Sequence, residues 1–368
     1  MIDDFDRDVY CLAGLPIDAV SMEGALAVLE SAADNKVRCF LSTPNLNFLI
    51  ASQHDPQFRN SVIQSDLVVA DGMPLVWMAK LLGVPIRERV AGSSLFEALR
   101  QQNATPPRSV YFFGGPDGVA EIAATRVNQT PSGIKCVGYQ SPGFVSVEEM
   151  SNEARITAIN ASNADFLVVS LGAKKGQAWI LRNQAKINVP IISHLGAVVN
   201  FEANILQRAP TLIQKKGLEW LWRIKEEPSL WKRYWNDGLN FLTLLTTSVI
   251  PHAIWLLFNR QRLAQSKIKN EVHLECNAAS CRLIISGVVL DPIAPETRAL
   301  LRKASQANIA VELDLTHAEY LSAGFLGLLL ILKKNLDQRA VKLKIIGVQS
   351  DIARLLKWNG LADLLKQS

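Results

Sequence analysis

The chain has 368 residues, of which 49% are hydrophobic and 20% charged, so it is long and apolar enough to bury a large core. This composition excludes a disordered or fibrous protein, and the length favours two domains. The net charge of +5 is too small to indicate nucleic-acid binding without a clustered basic patch.

The cysteines and the N-terminus bear on the compartment. The five cysteines are Cys11, Cys39, Cys136, Cys276 and Cys281. None forms a CxxC pair, so we expect neither a disulfide framework nor a zinc site. The polar start MIDDFDRDVY lacks the basic and apolar regions of a secretory signal. We therefore expect a protein of the reducing cytosol.

Short apolar runs alternate with helix-length amphipathic stretches from residue 9 to about residue 200. The predicted strands are 39–43, 66–71, 109–115, 134–139, 165–172 and 189–197. One helix is predicted to begin after Ser146, because Glu149 follows at the spacing of a capping box. The alternation predicts an α/β fold with a mostly parallel, Rossmann-like sheet that helices cover on both faces.

Polar residues or glycines follow several predicted strands. Ligands of parallel sheets bind beyond the carboxyl ends of the strands. Thr43, Asp71, Gly114 and Gly172 fall at those ends. Gly114 and Gly115 also begin a glycine-rich turn into a helix, whose backbone N–H groups could hold a diphosphate. The same glycines could equally serve a tight turn that needs positive φ.

A single carboxylate, Asp71, ends one predicted strand, and Arg89 follows in a polar loop. Such an acid can act as general base for a hydroxyl nucleophile, and an arginine can neutralise a departing phosphate. With Thr43 and Asn45 from another strand end, the set favours group transfer from a nucleotide-activated donor. Taken singly, Asp71 before Gly72 could form a turn, and Asn45 could cap the next helix.

Residues 201–235 are basic and rich in tryptophan. The basic residues include Arg208, Lys215, Lys216, Arg223, Lys225, Lys232 and Arg233, set among Trp220, Trp222, Trp231 and Trp235. Nucleic-acid binding is one interpretation, and a membrane-surface segment is the other. The next stretch, 239–258, has no formal charge and would be about 30 Å long as a helix, which favours lipid over nucleic acid.

The apolar stretch is not a simple membrane span. Hydroxyl side chains dilute it, and Pro251 is expected to break or kink a helix there. Basic residues flank both ends, so they choose no orientation. We therefore expect an interfacial or re-entrant helix. A buried core helix or an oligomer contact is the alternative.

A second, smaller α/β domain is predicted from about residue 270. It reads as strands within 272–290, a helix at 294–307, a strand at 309–316, a helix at 322–338, a strand at 341–348 and a closing helix at 351–365. Its length of about 100 residues is ordinary for one domain.

Five segments in order carry a family resemblance. They are TPNLNF (43–48), ADGMPLVWMAKLLGVPIRERVAGSSL (70–95), FFGGPDG (112–118), VVSLGAKKGQAWI (168–180) and RAPTLIQKKGLEWLWRIKEEPSLWKRY (208–234). Together they resemble the WecG/TagA/CpsF glycosyltransferase family over roughly residues 10–236. The resemblance implies transfer of a sugar, often of the N-acetylmannosamine type, from a UDP donor to a polyprenyl-diphosphate-linked sugar. It also implies inversion at the anomeric carbon, action at the cytoplasmic membrane face, and no metal or cofactor.

The resemblance assigns roles to matching residues. Asp71 would take the proton of the acceptor hydroxyl, Thr43 and Asn45 would hold the sugar or the acid, and Arg89 would contact the leaving diphosphate. The basic segment would close over the site. The other expected substrate-binding residues are Gly72, Gly114, Gly115, Gly172, Gln177, Arg208, Arg223 and Arg233.

Two segments depart from the family pattern. Residues 174–177 read KKGQ where PKQE is usual, and Asn200 stands where the family has the Asp of an FDF element. Both changes bear on which sugar is transferred.

The C-terminal domain resembles a STAS domain through LDLTHAEYLSAGFLGLLLIL (313–332) and GVQSDIARLLKWNGLADLL (347–365). That family implies a phosphorylated serine at the start of the helix, a position that Ser322 takes, with Leu321 in place of the usual acid. Ser322 would also make an ordinary helix N-cap, which is the favoured interpretation.

We therefore expect a membrane-associated, metal-independent inverting glycosyltransferase of surface-polysaccharide assembly. The expected division is a transferase domain (1–236), a membrane-associating helix with linker (237–269) and a STAS-like domain (270–368). The expected partners are a UDP-sugar, a lipid-linked saccharide, the membrane surface and a protein that binds the STAS domain. The alternative is a non-catalytic scaffold, with a degenerate transferase domain that only recruits partners.

Overall fold

The computed structural model describes residues 3–102, 105–130, 133–215, 217–265 and 271–367. Its strands are β1 (Val9–Leu12), β2 (Leu15–Asp18), β3 (Cys39–Ser42), β4 (Leu67–Val68), β5 (Arg108–Gly114), β6 (Ile134–Gln140), β7 (Phe166–Ser170), β8 (Ile191–His194), β9 (Glu271–Cys276), β10 (Ser280–Val289), β11 (Ala310–Leu321) and β12 (Leu343–Ile346). Its helices are α1 (Met22–Asp34), α2 (Leu46–His54), α3 (Pro56–Ile63), α4 (Met73–Leu82), α5 (Gly92–Gln101), α6 (Val119–Gln129), α7 (Val147–Met150), α8 (Glu153–Ala161), α9 (Ala173–Asn183), α10 (Val198–Glu202), α11 (Thr211–Lys215), α12 (Glu219–Glu226), α13 (Trp231–Leu244), α14 (Ile250–Ala264), α15 (Pro295–Gln306), α16 (Ala323–Gln338) and α17 (Ser350–Trp358).

The main sheet has six strands in the order β4-β3-β8-β7-β5-β6, and every neighbouring pair is parallel. Successive side chains of β5 enter different cores, with Phe112 on one face and Phe113 on the other. All five residues of β7 are buried, as expected for a central strand with helices on both sides. The predicted α/β fold and its parallel sheet are confirmed.

The second sheet has the order β12-β11-β10-β9, in which only β9 runs antiparallel to its neighbour. This smaller domain follows the predicted order of strands and helices. One expectation is wrong, because Cys276 and Cys281 form a disulfide. The two residues lie opposite each other on β9 and β10, a pairing for which their spacing in the sequence gives no CxxC signal.

The two domains share an apolar core, which the sequence did not predict. An antiparallel hairpin of β1 and β2 precedes the main sheet, and α16 of the second domain packs on β1. The two approach closely at Gly327, where an added Cβ would lie 2.6 Å from the carbonyl oxygen of Val9. The predicted boundary at residues 269 and 270 lies outside the described residues.

The apolar segment forms one uninterrupted helical path from α13 into α14. It is long and apolar enough to cross a membrane, with a mean hydropathy of 1.7 over its most apolar window. The expected break at Pro251 does not occur, because a π-helical turn, Leu245–Val249, directly precedes α14. The wider turn accommodates the ring and the missing N–H of the proline.

Candidate active site

The ends of parallel strands bring the predicted site residues to one edge of the main sheet. Thr43 directly follows β3, and Asp71 lies three residues beyond the short β4. Gly114 ends β5, and Gly172 follows β7 by two residues. These four residues therefore lie on the side of the sheet where ligands of such folds bind.

Asp71 is held by an arginine and by the start of a helix. Its Oδ1 accepts hydrogen bonds from Nη2 (3.1 Å) and Nε (3.3 Å) of Arg89. Its Oδ2 accepts a hydrogen bond from the backbone N–H of Gly92, the first residue of α5, at 3.3 Å. The structure thus places a carboxylate and a guanidinium at the positive end of a ten-residue helix.

Thr43 packs against the same helix start. An added Cβ at Gly92 would lie 3.1 Å from both Oγ1 and Cγ2 of Thr43 and 2.5 Å from Leu195. The missing side chain at position 92 therefore lets α5 approach the strand ends closely. Asp71 and Thr43 therefore both lie close to Gly92 at the start of α5.

Glu219 is a member of this cluster that the sequence reasoning missed. Its Oε2 accepts a hydrogen bond from Nη2 of Arg89 at 2.6 Å, the same nitrogen that contacts Asp71. Glu219 is the first residue of α12, in the GLEWLWR segment. One guanidinium therefore joins two carboxylates, and the only local signal was an acid among basic residues.

The pKa of Asp71 is raised to about 6. Burial is the largest cause, and the neighbouring Glu219 carboxylate adds to it, while Arg89 and the Gly92 N–H act in the opposite direction. Burial opposes the charge of Arg89, but Asp71 and Glu219 together raise the pKa of its guanidinium. Asp71 is thus a carboxylate at neutral pH with an affinity for protons well above that of an exposed aspartate.

Asn45 and Gly72 adjoin this cluster. Asn45 caps α2, because its Oδ1 accepts a hydrogen bond from the N–H of Phe48 at 3.2 Å. An added Cβ at Gly72 would lie 3.6 Å from the Cα of Asn45. The capping role is confirmed, and the amide NH2 of Asn45 makes no hydrogen bond to the described part of the chain.

The glycine-rich turn after β5 has the backbone conformation that its sequence predicts. Gly114, Gly115 and Gly118 have φ values of 109°, 83° and 78°. An added Cβ at Gly114 would lie 2.4 Å from the carbonyl oxygen of Ser170, so β5 and β7 approach closely here. The requirement for positive φ is confirmed, and α6 begins directly after the turn.

The KKGQ segment does not present its glutamine at the sheet edge. Gln177 is fully buried, and its Nε2 donates to Oγ of Ser42 at 3.0 Å. An added Cβ at Gly176 would lie 2.1 Å from Cδ2 of His194, so the imidazole fills the space beside this glycine. Nε2 of His194 lies 2.6 Å from the carbonyl oxygen of Leu171, and burial lowers the pKa of the ring.

The three arginines of the basic segment lie in different places. Arg208 donates from Nη2 to Oγ of Ser94 in the first turn of α5, and its buried Nε has no partner among the described residues. Arg223 pairs with Glu227 at 2.9 Å. Arg233 lies 5.0 Å from the ring centre of Tyr234 on α13. Arg208 is therefore the one that the structure brings to the Asp71 cluster.

Ser322 caps α16 rather than facing solvent. Its Oγ accepts a hydrogen bond from the N–H of Phe325 at 3.3 Å and donates to Oδ1 of Asp291 at 2.9 Å. The side chain is buried beside a cavity of about 500 Å³ between the two domains and α14. The N-cap prediction is confirmed.

In the described ranges, no group of three or more His, Cys, Asp or Glu side chains is arranged to hold a metal ion.

An acid, two arginines and a helix N-terminus at the edge of a parallel sheet form a site suited to group transfer. The chain belongs to the glycosyl transferase WecG/TagA/CpsF family, which it matches over residues 10–253. Residues 272–366 match the STAS domain of the Mlab type. Both resemblances are thereby confirmed, and the protein is a glycosyltransferase.

Two curated relatives carry the same name, N-acetylglucosaminyldiphosphoundecaprenol N-acetyl-beta-D-mannosaminyltransferase. The one from Bacillus spizizenii (strain W23) is 26% identical over 201 residues, which are 54% of this chain and 76% of the relative. The one from Bacillus subtilis (strain 168) is 24% identical over 212 residues, which are 58% and 81%. The chain also aligns with a crystal structure of an SsGBP variant. The alignment covers 70% of this chain and 87% of the SsGBP chain, with 14% identity and a TM-score of 0.20.

Proposed function

We propose that the protein transfers a hexose from a UDP-sugar to a saccharide linked to a polyprenyl diphosphate, with inversion and without a metal ion. The two relatives are named for transfer of N-acetylmannosamine to such a lipid-linked acceptor. The observation that carries the proposal is the contact of Asp71 with Arg89 at the N-terminus of α5. The sugar is of the N-acetylmannosamine type or another hexose.

In the proposed reaction, Asp71 accepts the proton of the acceptor hydroxyl as its oxygen attacks the anomeric carbon. The new C–O bond forms while the bond from that carbon to the UDP oxygen breaks, and UDP leaves from the opposite face. A single displacement of this kind inverts the carbon. Arg89, Arg208 and the first N–H groups of α5 stabilise the charge that develops on the leaving diphosphate.

Changing Asp71 to Asn tests the proposal. D71N keeps the shape of the side chain but removes the base, so transfer should fall by about a hundredfold or more. Release of UDP from purified enzyme, donor sugars and lipid-linked acceptor measures the rate, and calorimetric titration with UDP measures nucleotide binding. Nucleotide binding should persist in D71N, and D34N, which alters an exposed acid paired with Arg108, is the control. Full activity in D71N would remove the mechanism.

We further propose that the protein acts at the cytoplasmic face of the membrane as a monotopic protein. An exposed apolar stripe follows α13 and α14: Trp231, Trp235, Leu239, Leu242, Ile250, Ile254, Leu257 and Phe258. It is about 40 Å long at the rise of a helix. Exposed basic residues lie near both ends, which suits an anionic bilayer surface.

The opposite side of the same helix contacts both domains. Asn47 of α2 donates to Asp237 of α13 at 3.1 Å, and Trp255 of α14 stacks on Tyr320 of the STAS domain at 5.8 Å. Both domains thus lie beside the helix, which supports a helix lying in the interface over one that spans. We propose that the chain divides into a transferase domain (1–236), a membrane-associating helix with linker (237–269) and a STAS-like domain (270–368).

One observation favours the alternative function, that of a non-catalytic scaffold. Glycine at position 176, beneath His194, removes any side chain that this turn could direct to the sheet edge. A scaffold would release no UDP with any donor sugar, so the wild-type reaction in the D71N experiment separates the two functions. In either case, we propose that the STAS domain serves first as an internal partner of the transferase domain, because α16 is packed on β1.

A further inference from the structure

We propose that Glu219 is a positioning residue that holds α12 at the site through Arg89, and that the diphosphate of the donor displaces it. The inference rests on the proposed function, because it takes Arg89 as a diphosphate ligand. The proposal goes further, because α12 leads into the membrane-facing helices α13 and α14, whose position would then depend on donor binding.

The ion pair between Glu219 and Arg89 is the main polar contact that fixes α12 at the site. Glu219 and Arg89 are 2.6 Å apart, and each side chain is only 18% exposed. No residue of α12 is buried. Its other side-chain hydrogen bonds and ion pairs in the described ranges are Nε1 of Trp222 to the carbonyl oxygen of Gln207 at 3.0 Å, the N–H of Gln207 to Glu226 at 3.4 Å, and the Arg223–Glu227 pair. A helix with so little buried surface can move when its main anchor is lost.

The charges determine which carboxylate must leave. A diphosphate that binds Arg89 brings two negative charges within a few ångströms of Asp71 and Glu219, where like charges repel strongly at reduced dielectric. Asp71 is fixed by the N–H of Gly92 and belongs to the proposed chemistry. Glu219 stands at the N-terminus of α12, where a carboxylate remains favourable without Arg89. Donor binding therefore releases Glu219.

Release of Glu219 frees the start of a segment that faces the bilayer. Trp220 is the next residue, 44% exposed, and its ring lies 6.2 Å from that of Tyr234 on α13. Displacement of Glu219 would therefore change the surroundings of Trp220. Occupancy of the donor site would be coupled to the position of the surface that meets the lipid-linked acceptor.

The test is E219Q in the full-length chain, with E226Q as the matched control. Glutamine keeps the size of the side chain but removes the competing charge. Glu226 lies on the same helix, and within the described residues its carboxylate accepts one hydrogen bond, from the N–H of Gln207 at 3.4 Å. In calorimetric titrations, E219Q should bind UDP at least about fivefold more tightly than the wild type, and E226Q should match the wild type. The acid limb of the kcat/KM profile, which reports the free enzyme, should move to lower pH in E219Q, because Asp71 loses a negative neighbour there.

A second measurement needs no change at position 219. UDP should alter the emission of Trp220 in the wild type, measured as the difference from W220F. Unchanged emission, or unchanged or weaker UDP binding in E219Q beside a wild type that binds UDP, would overturn this inference alone. Normal UDP affinity with lost turnover in E219Q would make Glu219 the base and overturn it too. A wild type that binds no UDP would overturn the proposed function as well.

Discussion

At the scale of single residues, Asp71 combines two opposing influences. Burial raises its pKa to about 6, even though the Arg89 guanidinium in direct contact favours the charged form. An exposed aspartate would be a weaker base, since its pKa is near 4. The environment therefore increases basicity while keeping Asp71 ionised at neutral pH, which is the property that a general base needs.

The pH dependence of transfer should follow from this pKa. A base must be unprotonated to act, so activity should rise as pH increases through about 6 and level off above pH 7. At pH 5 about a tenth of the base is ionised, so kcat/KM should fall roughly tenfold below its plateau. The measurement is kcat/KM between pH 5 and 8, because this ratio reports the free enzyme.

Thermal unfolding at each pH is the control, because it shows whether the fold persists where activity falls. A rate that stays level down to pH 5 in folded enzyme would assign the proton transfer to another group.

Local sequence could identify Asp71, because an acid at the carboxyl end of the predicted buried strand 66–71 is expected at the ligand edge. It could not identify Glu219, which lies 130 residues from Arg89 in the chain and carries no local signal for that contact. Gln177 is the opposite case, a residue that the sequence assigned to the site but that the fold buries elsewhere. It lies in a turn that resembles a site motif, yet its amide bonds to Ser42 inside the fold. Orientation of a polar side chain depends on neighbours that only the tertiary structure supplies.

At the scale of elements, the apolar helix has two different faces. Val249, His252 and Ala253 are buried, whereas Leu257 and Phe258 are 74% and 84% exposed. Composition alone predicted a lipid-associated helix but not which face meets the protein. The rule for proline also failed at Pro251, because it applies to a regular α-helix and not to a segment with a π-helical turn.

The exposed face should carry the membrane affinity. L257E/F258E places two carboxylates in the apolar stripe, so binding to anionic vesicles should fall by at least about tenfold. Cosedimentation with phosphatidylglycerol-containing vesicles measures this. Q57E/Q306E adds the same charge at exposed positions on α3 and α15 and is the control. Equal vesicle binding by the two double variants would mean that this stripe does not meet lipid.

At the scale of the whole molecule, the two domains form a joint core. Phe5, Val9 and Cys11 of the N-terminal region belong to the same apolar cluster as Leu329 and Leu332 of α16. Sequence patterns predicted both domains from their own alternation of strands and helices. They could not predict this contact, because it joins segments more than 300 residues apart through side chains that would look equally normal in a separate domain.

A buried charge cluster crosses this domain contact. Nζ of Lys334 on α16 lies 2.9 Å from Asp66 and 3.0 Å from Asp4, and it donates to the carbonyl oxygen of Ser65 at 3.1 Å. Lys334 is 2% exposed on an otherwise apolar helix surface. Burial would raise the pKa of Asp4, but Lys334 and Arg7 together hold it below its usual value. The cluster therefore joins α16 of the STAS domain to the N-terminal region and to the residues just before β4.

Removal of this lysine should destabilise both domains together. K334M keeps much of the side-chain volume but removes the buried cation that pairs with the partly buried carboxylates of Asp4 and Asp66, which costs about 3 kcal/mol. The neighbouring Lys333 forms a partly exposed pair with Asp337 at 2.9 Å on the same helix, so K333M should cost at most about 0.5 kcal/mol. Denaturant unfolding, followed by tryptophan fluorescence and by circular dichroism, measures both. Because α16 is packed on β1, the two signals should shift together in K334M. A K334M curve that coincides with that of K333M, or a shift in one signal alone, would show that the domains unfold independently of this cluster.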